Sequence, residues 1–199
     1  WNEHQNDFLK AKNIYLYLSW TSLFRGKPEV RKVSIEDGHL HLYTDACGYR
    51  NLNLVEQVDT QNEKGVTPVL SIRRTRIIME NEALNAKHDI DVVYLHAGVT
   101  KKDSTVLLDI EINSLVHGIG FNLEKGSYLK EKTLQGNLLL TYFPHQKLEL
   151  TEVNLNIQQH PYTLHGAFYL DQDTMSYALG IYTKQILFKN AASVLTASI

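Results

Sequence analysis

The chain has one cysteine, Cys47, so no intrachain disulfide can form and no thiolate-rich metal site exists. That single thiol fits a reduced cytoplasm and a bacterial periplasm equally well. Charge of one sign is also missing. Twenty Lys and Arg stand against 22 Asp and Glu, for a net charge of −2. A phosphate-binding surface needs a basic excess, so no nucleic-acid partner is expected. No apolar run reaches the roughly 20 residues that span a bilayer, which places any membrane segment outside this sequence. The first residue is Trp1 rather than Met, pointing to a truncated or processed product. Catalytic signatures are lacking too. There is no Gly-x-Ser-x-Gly elbow, and Gly118-Ile119-Gly120 has neither the third glycine nor the helix of a phosphate-cradling loop.

What the sequence has is a period of two. Apolar residues, 43% of the 199, recur through almost the whole chain and are enough to bury a core. Ile14, Leu16 and Leu18 alternate with Tyr15 and Tyr17, and Val106, Leu108, Ile110 and Ile112 alternate with Leu107, Asp109 and Glu111. Alternation puts these sets on opposite faces of strands. Strands are expected at 13–19, 33–35, 40–42, 69–79, 89–96, 106–112, 115–122, 134–143, 148–157, 162–170 and 175–182. Asp37-Gly38 reads as a hairpin turn, because glycine adopts φ > 0 without steric cost. Glu80-Asn81-Glu82, Gly126-Ser127, Pro144-His145, His160-Pro161 and Asp171-Gln172-Asp173 read as loops.

Helix signals are few: a fragment at 8–12, and a short C-terminal helix at 191–197 capped by Asn190. Leu138-Leu139-Leu140 and Ile77-Ile78-Met79 are apolar on both parities, so those strands are expected to be covered on both faces or to have an apolar partner. A faint recurrence of strand, acidic turn and strand links 33–43 with 74–85. The expectation is an all-β chain: one elongated domain over 1–199, a large curved antiparallel sheet or a folded-over sandwich or half-barrel of roughly eleven or twelve strands.

Candidate chemistry is thin. His39 and His41 share a strand face near Glu36 and Asp37, donors that suit zinc, yet two ligands on one strand are not a site. Asp109 and Glu111 share a face, as paired carboxylates would, and plain outward-facing charge explains them as well. Arg73, Arg74 and Arg76 form a basic cluster suited to anionic headgroups or to a charged strand face. His88, His96, His117, His160 and His165 are scattered, and Cys47 lies in an Ala46-Cys47-Gly48 turn. Eleven tyrosines, among them Tyr15, Tyr17, Tyr43 and Tyr49, could form an aromatic platform. No catalytic or metal residue is assigned, no cofactor is expected, and ligand-binding residues are left open.

Three segments carry a resemblance. Ala11-Lys12-Asn13-Ile14-Tyr15-Leu16 is followed by Leu23-Phe24-Arg25-Gly26-Lys27, then by Val30, Val33, Ile35, Glu36, Asp37, Gly38, Leu40 and Leu42, and then by Asp45, Gly48 and Asn51. Gly126-Ser127-Tyr128-Leu129-Lys130 leads through Leu134 to Gly136, and Gln185-Ile186-Leu187-Phe188 precedes Ala191. These resemble segments of the AsmA-like family, in the version found in Bacteroidota. The resemblance implies a non-enzymatic periplasmic scaffold, anchored in the inner membrane by a segment absent from this chain. It also implies work in outer-membrane biogenesis and phospholipid movement along an apolar β-groove, with phospholipid acyl chains and other envelope proteins as partners. The alternative is a protein- or glycan-binding periplasmic module.

Overall fold

In the computed structural model, residues 8–183 are described, apart from 25, 27, 52–67, 103, 128, 145 and 171–174. They form a nine-stranded sheet in sequential order: β1 Leu9–Leu18, β2 Val30–Thr44, β3 Val69–Asn81, β4 Ala86–Lys102, β5 Thr105–Gly120, β6 Lys132–Phe143, β7 Lys147–Ile157, β8 His160–Leu170 and β9 Met175–Tyr182. The sheet is open, with β1 and β9 at its edges. A five-residue helix, α1 (Trp20–Phe24), joins β1 to β2, and a 3-10 turn at Leu123–Lys125 follows β5.

The chain is all-β as expected, with two expected breaks missing. Asp37-Gly38 is not a turn: β2 runs straight through it, which also removes the recurrence between 33–43 and 74–85. Residues 106–112 and 115–122 fuse into β5. Eleven expected strands thereby become nine among the described residues. Residues 8–12 enter β1 instead of a helix, because β1 pairs with β2 from Leu9↔Leu40 onward. The β7–β8 turn is Gln158-Gln159, with φ of 51° and 68°, while His160 and Pro161 open β8. One pair is not antiparallel: β2 and β3 run parallel, Lys32 beside Val69 and Thr44 beside Asn81. A parallel return needs a crossover of a dozen residues or more, and 45–68 supplies it. The expected C-terminal helix and the 171–173 loop lie outside the described residues.

The ladder registers sort the side chains into two faces. On one, neighbouring strands line up Leu16, Val33 and Leu70, then Leu95, Ile112 and Ile110 with Leu138, then Val153, Leu164 and Ile181. This face is apolar from edge to edge. Its two central hydroxyls turn back to the backbone: Thr75 Oγ1 donates to the Arg73 carbonyl at 2.8 Å and Ser114 Oγ to the Leu134 carbonyl at 3.4 Å. The other face carries Lys32, Glu36, His39, His41, Arg76, Asp89, Asp91, Asp109, Glu111, Asn137 and Asn154. Ile78 and Leu139 sit there singly among charged neighbours, with no second layer over them in the described residues.

The sheet coils with the apolar face inside. Phe121 lies 5.2 Å from the His88 ring of β4 and 6.2 Å from the Phe168 ring of β8, centroid to centroid. Those strands are four steps apart, about 19 Å across a flat sheet. Phe121 can meet both only if the sheet curls around it. Tyr177 completes the cluster, 6.2 Å from Phe121. Five buried residues, Val153, Leu155, Ile157, Leu140 and Tyr162, form one cluster on this inner face, with Leu129 of the β5–β6 connection packed against it. A line of ladder breaks, ending in a bulge at Val93, aids the curl. Asp37 and Arg74 both take left-handed φ (54° and 45°) and drop out of both ladders they face, and Val93 is extra in β4. Their side chains tie the line together: Arg74 Nε donates to Asp37 Oδ1 at 2.6 Å, which holds the Asp37 carboxyl below its usual range.

Candidate functional site: an apolar trough

Burial along the inner face is uneven. Val92, Val116 and Val153 in the middle are at most 2% exposed, whereas Leu16 on β1 is 62% exposed and Ile181 on β9 is 60% exposed. Among the described residues each strand packs substantially only against its neighbours in the sheet, so no second layer covers this face. The result is a trough, closed in the middle by curvature and open along both rims. The Tyr162 hydroxyl on its floor has no hydrogen-bond partner among the described residues, and burial raises its pKa.

The trough has a polar end. Where β2 and β3 stop and β4 starts, a hollow of 340 Å³ is lined by Leu42, Met79 and His88 from the inner face and by Arg50 and Asn51 from the turn after β2. Burial lowers the pKa of His88, so the ring facing the hollow is neutral at pH 7. Tyr43, on the same rim, donates its phenol to Glu82, and its pKa is pushed up to about 12 by that bond and by burial.

The polar face holds the residues singled out in the sequence and uses most of them in ion pairs. His39 and His41 do share a face, with rings 6.5 Å apart, but His41 Nε2 meets Glu80 Oε2 at 2.8 Å and Glu80 also takes Lys87. Glu36 and Asp37 face Arg74 rather than the histidines. No group of three or more His, Cys, Asp or Glu residues is placed to hold a metal among the described residues. Arg76 pairs with Asp89 at 2.8 Å, and His117, the extra residue of a bulge in β5, bridges Asp91 (2.8 Å) and Glu131 (3.2 Å). Asp91 and Glu131 raise the His117 pKa.

Arg73, His96 and Glu111 line a second, shallow hollow on this outer face, where Tyr94 donates to Glu111 at 3.1 Å. Asp109 shares its face with Glu111, and His165 faces outward from β8. Tyr15 and Tyr17 are exposed near the β1 edge, while Tyr43 lies nine residues along β2 from Ser34, the partner of Tyr15. That is about 30 Å, so these tyrosines do not make one platform. Cys47 is exposed in its turn, and its backbone N–H donates to Asp45 Oδ1 at 2.8 Å.

Sequence reasoning missed Arg50, Phe121 and Tyr162. Arg50 was visible only as part of a turn, and no local pattern reports which distant strands Phe121 touches. Together these features define an all-β protein with an open, amphipathic, trough-shaped sheet. No protein-family model, no curated protein and no solved structure matches the chain.

Proposed function

We propose that the chain is a non-enzymatic β-scaffold of the bacterial envelope whose inner face shields the acyl chains of phospholipid from water. The observation that supports this most directly is one apolar face running unbroken across nine strands, opposite a charged face, with no second layer among the described residues. The exposed part of this face lies along its rims, at Ile14, Leu16, Leu179 and Ile181, and contiguous exposed apolar surface marks a place where another apolar body sits. Each methylene transferred from water onto it gains about 0.8 kcal/mol with little demand on chemistry. The 17 residues of β4 alone reach about 55 Å, longer than one acyl chain. The resemblance to the AsmA-like family points the same way and supplies the proposed periplasmic setting and inner-membrane anchor.

The test is organic extraction of the purified chain followed by lipid mass spectrometry, with titration by an environment-sensitive acyl probe. Retained phospholipid and saturable probe binding are expected. A chain that keeps no lipid and shows no saturable binding would rule the reading out.

A further inference from the structure

The polar end of the trough carries chemistry of its own. The turn holding Arg50 is fixed on both sides. Asp45 Oδ1 accepts the backbone N–H groups of Cys47 and Tyr49, both at 2.8 Å. Asn51 Oδ1 accepts the Tyr43 N–H at 2.8 Å, and Asn51 Nδ2 donates to the His41 carbonyl at 2.6 Å. Thr44 and Arg50 form a bridge between these two brackets. Arg50 is thereby set at the rim of the 340 Å³ hollow, a size within the range of about 300–1,000 Å³ that small-molecule sites occupy.

The charges at this end are unevenly satisfied. Glu80 is held by His41 and Lys87, Glu82 takes the Tyr43 phenol, and Asp45 holds two backbone donors. The Arg50 guanidinium forms no hydrogen bond or ion pair with any described residue. A guanidinium is a planar fork of N–H donors matched to phosphate or carboxylate oxygens. Arg50 is exposed and shares the lining of this hollow with the apolar Leu42 and Met79.

We infer that this hollow seats the anionic group, a phosphate or carboxylate, of an amphiphile whose chain lies along the trough. The inference rests on the trough reading above and adds to it a headgroup preference and a direction: head beside Arg50, tail along the exposed β1 rim toward Ile14 and Leu16. The neutral His88 ring and the Asn81 Nδ2 lie on the same lining, Asn81 Oδ1 being taken by the Leu84 N–H at 3.0 Å, and the one carboxylate there, Glu80, is neutralised by His41 and Lys87.

Calorimetric titration with dodecyl phosphate, dodecyl maltoside and inorganic phosphate tests it, on the wild-type chain and on Arg50→Gln, Arg50→Lys and Arg73→Gln. Arg73 is the control, an arginine on the outer face. Dodecyl phosphate should bind Arg50→Gln about tenfold more weakly, the effect of losing one charge-assisted hydrogen bond. It should bind Arg50→Lys with an affinity between those of wild type and Arg50→Gln, because the ammonium keeps the charge and loses the fork, and Arg73→Gln unchanged. Dodecyl maltoside should bind all four alike, and inorganic phosphate should not bind measurably. Equal weakening for the maltoside would make Arg50 merely structural and overturn the inference, as would no weakening for the phosphate or inorganic phosphate binding as tightly as its dodecyl ester. If both amphiphiles bind wild type equally and Arg50→Gln changes neither, the headgroup seat falls while the trough stands. If neither binds, both fall.

Discussion

Gly136 and Gly166 occupy inner-face positions of β6 and β8 with φ of 157° and 145°, and at both the next strand passes very close. A Cβ on Gly136 would be driven into the Asn154 carbonyl, and one on Gly166 into the Ala178 carbonyl. Alanine at either place must therefore push two strands apart as well as strain its own backbone. A loss of about 2–3 kcal/mol is expected from each in urea denaturation. Gly98→Ala is the control: its Cβ would meet nothing closer than 3.8 Å, and its stability should stay level or rise by less than about 1 kcal/mol. At the same scale, two histidines respond to pH in opposite senses. The His117 pKa is raised by Asp91 and Glu131, so its contribution is fully present below about pH 6.5 and is lost as pH climbs through the raised value. The His88 pKa is lowered by burial, so its contribution is present above about pH 6.5 and is lost as pH falls through the lowered value. His117→Gln removes the first effect alone. The urea midpoints of wild type and His117→Gln should differ most below about pH 6.5 and converge as pH rises through the raised value, with a gap below about 1 kcal/mol for so accessible a pair. A gap that widens with pH would contradict the assignment.

Among the elements, the β7–β8 hairpin offers the simplest test of turn chemistry. Gln158 and Gln159 both adopt left-handed φ, the two-residue geometry that Asn-Gly favours and that glutamine tolerates poorly. Replacing the pair by Asn-Gly should stabilise the chain by about 0.5–1 kcal/mol, read as a higher urea midpoint with an unchanged slope. The same turn shows why some boundaries were illegible. Nothing about two glutamines announces a turn, whereas Asp37-Gly38 announces one where β2 simply continues. Asp37 does take the left-handed conformation its type allows, but a kink within a strand asks for that as readily as a hairpin does. Arg74 faces it with a left-handed φ of its own and no sequence sign at all. Only the partner strand distinguishes the two outcomes. Direction is hidden in the same way: period two gives the faces of β2 and β3 but not that they run parallel. The apolar face was legible only run by run: Ile14 and Leu16, Val33 and Ile35, and Leu40 and Leu42 each alternate, but the last two pairs differ in parity and share a face only because Asp37 shifts the phase of β2. Arg50 was not legible, since its importance comes from the hollow it lines.

For the whole molecule, the question is whether the inner face is a core or a working surface. Cores and surfaces answer substitution differently. Val153 is 1% exposed at the centre of the cluster, and Val153→Ala should cost about 2 kcal/mol through lost burial and the cavity left behind. Leu16 and Ile181 lie on the same face at opposite rims, 62% and 60% exposed, where glutamate can keep its charge in water. A Leu16→Glu, Ile181→Glu chain should therefore unfold within about 0.5 kcal/mol of wild type. Its acyl-probe binding should nonetheless weaken severalfold, because each rim now presents a carboxylate where a methylene chain would lie. It should also self-associate less in analytical ultracentrifugation. The segments 14–18 of β1 and 175–182 of β9 carry no charged residue, so these stretches of the two edges lack the usual guard against pairing with another strand, which on β1 is confined to Lys10 and Lys12. If the double variant instead lost as much stability as Val153→Ala, the rims would be packed interior and the trough would be closed. If it kept full probe binding, the acyl chain would have to lie elsewhere. A stable chain that has lost its affinity for apolar ligands is the outcome that only an open trough produces.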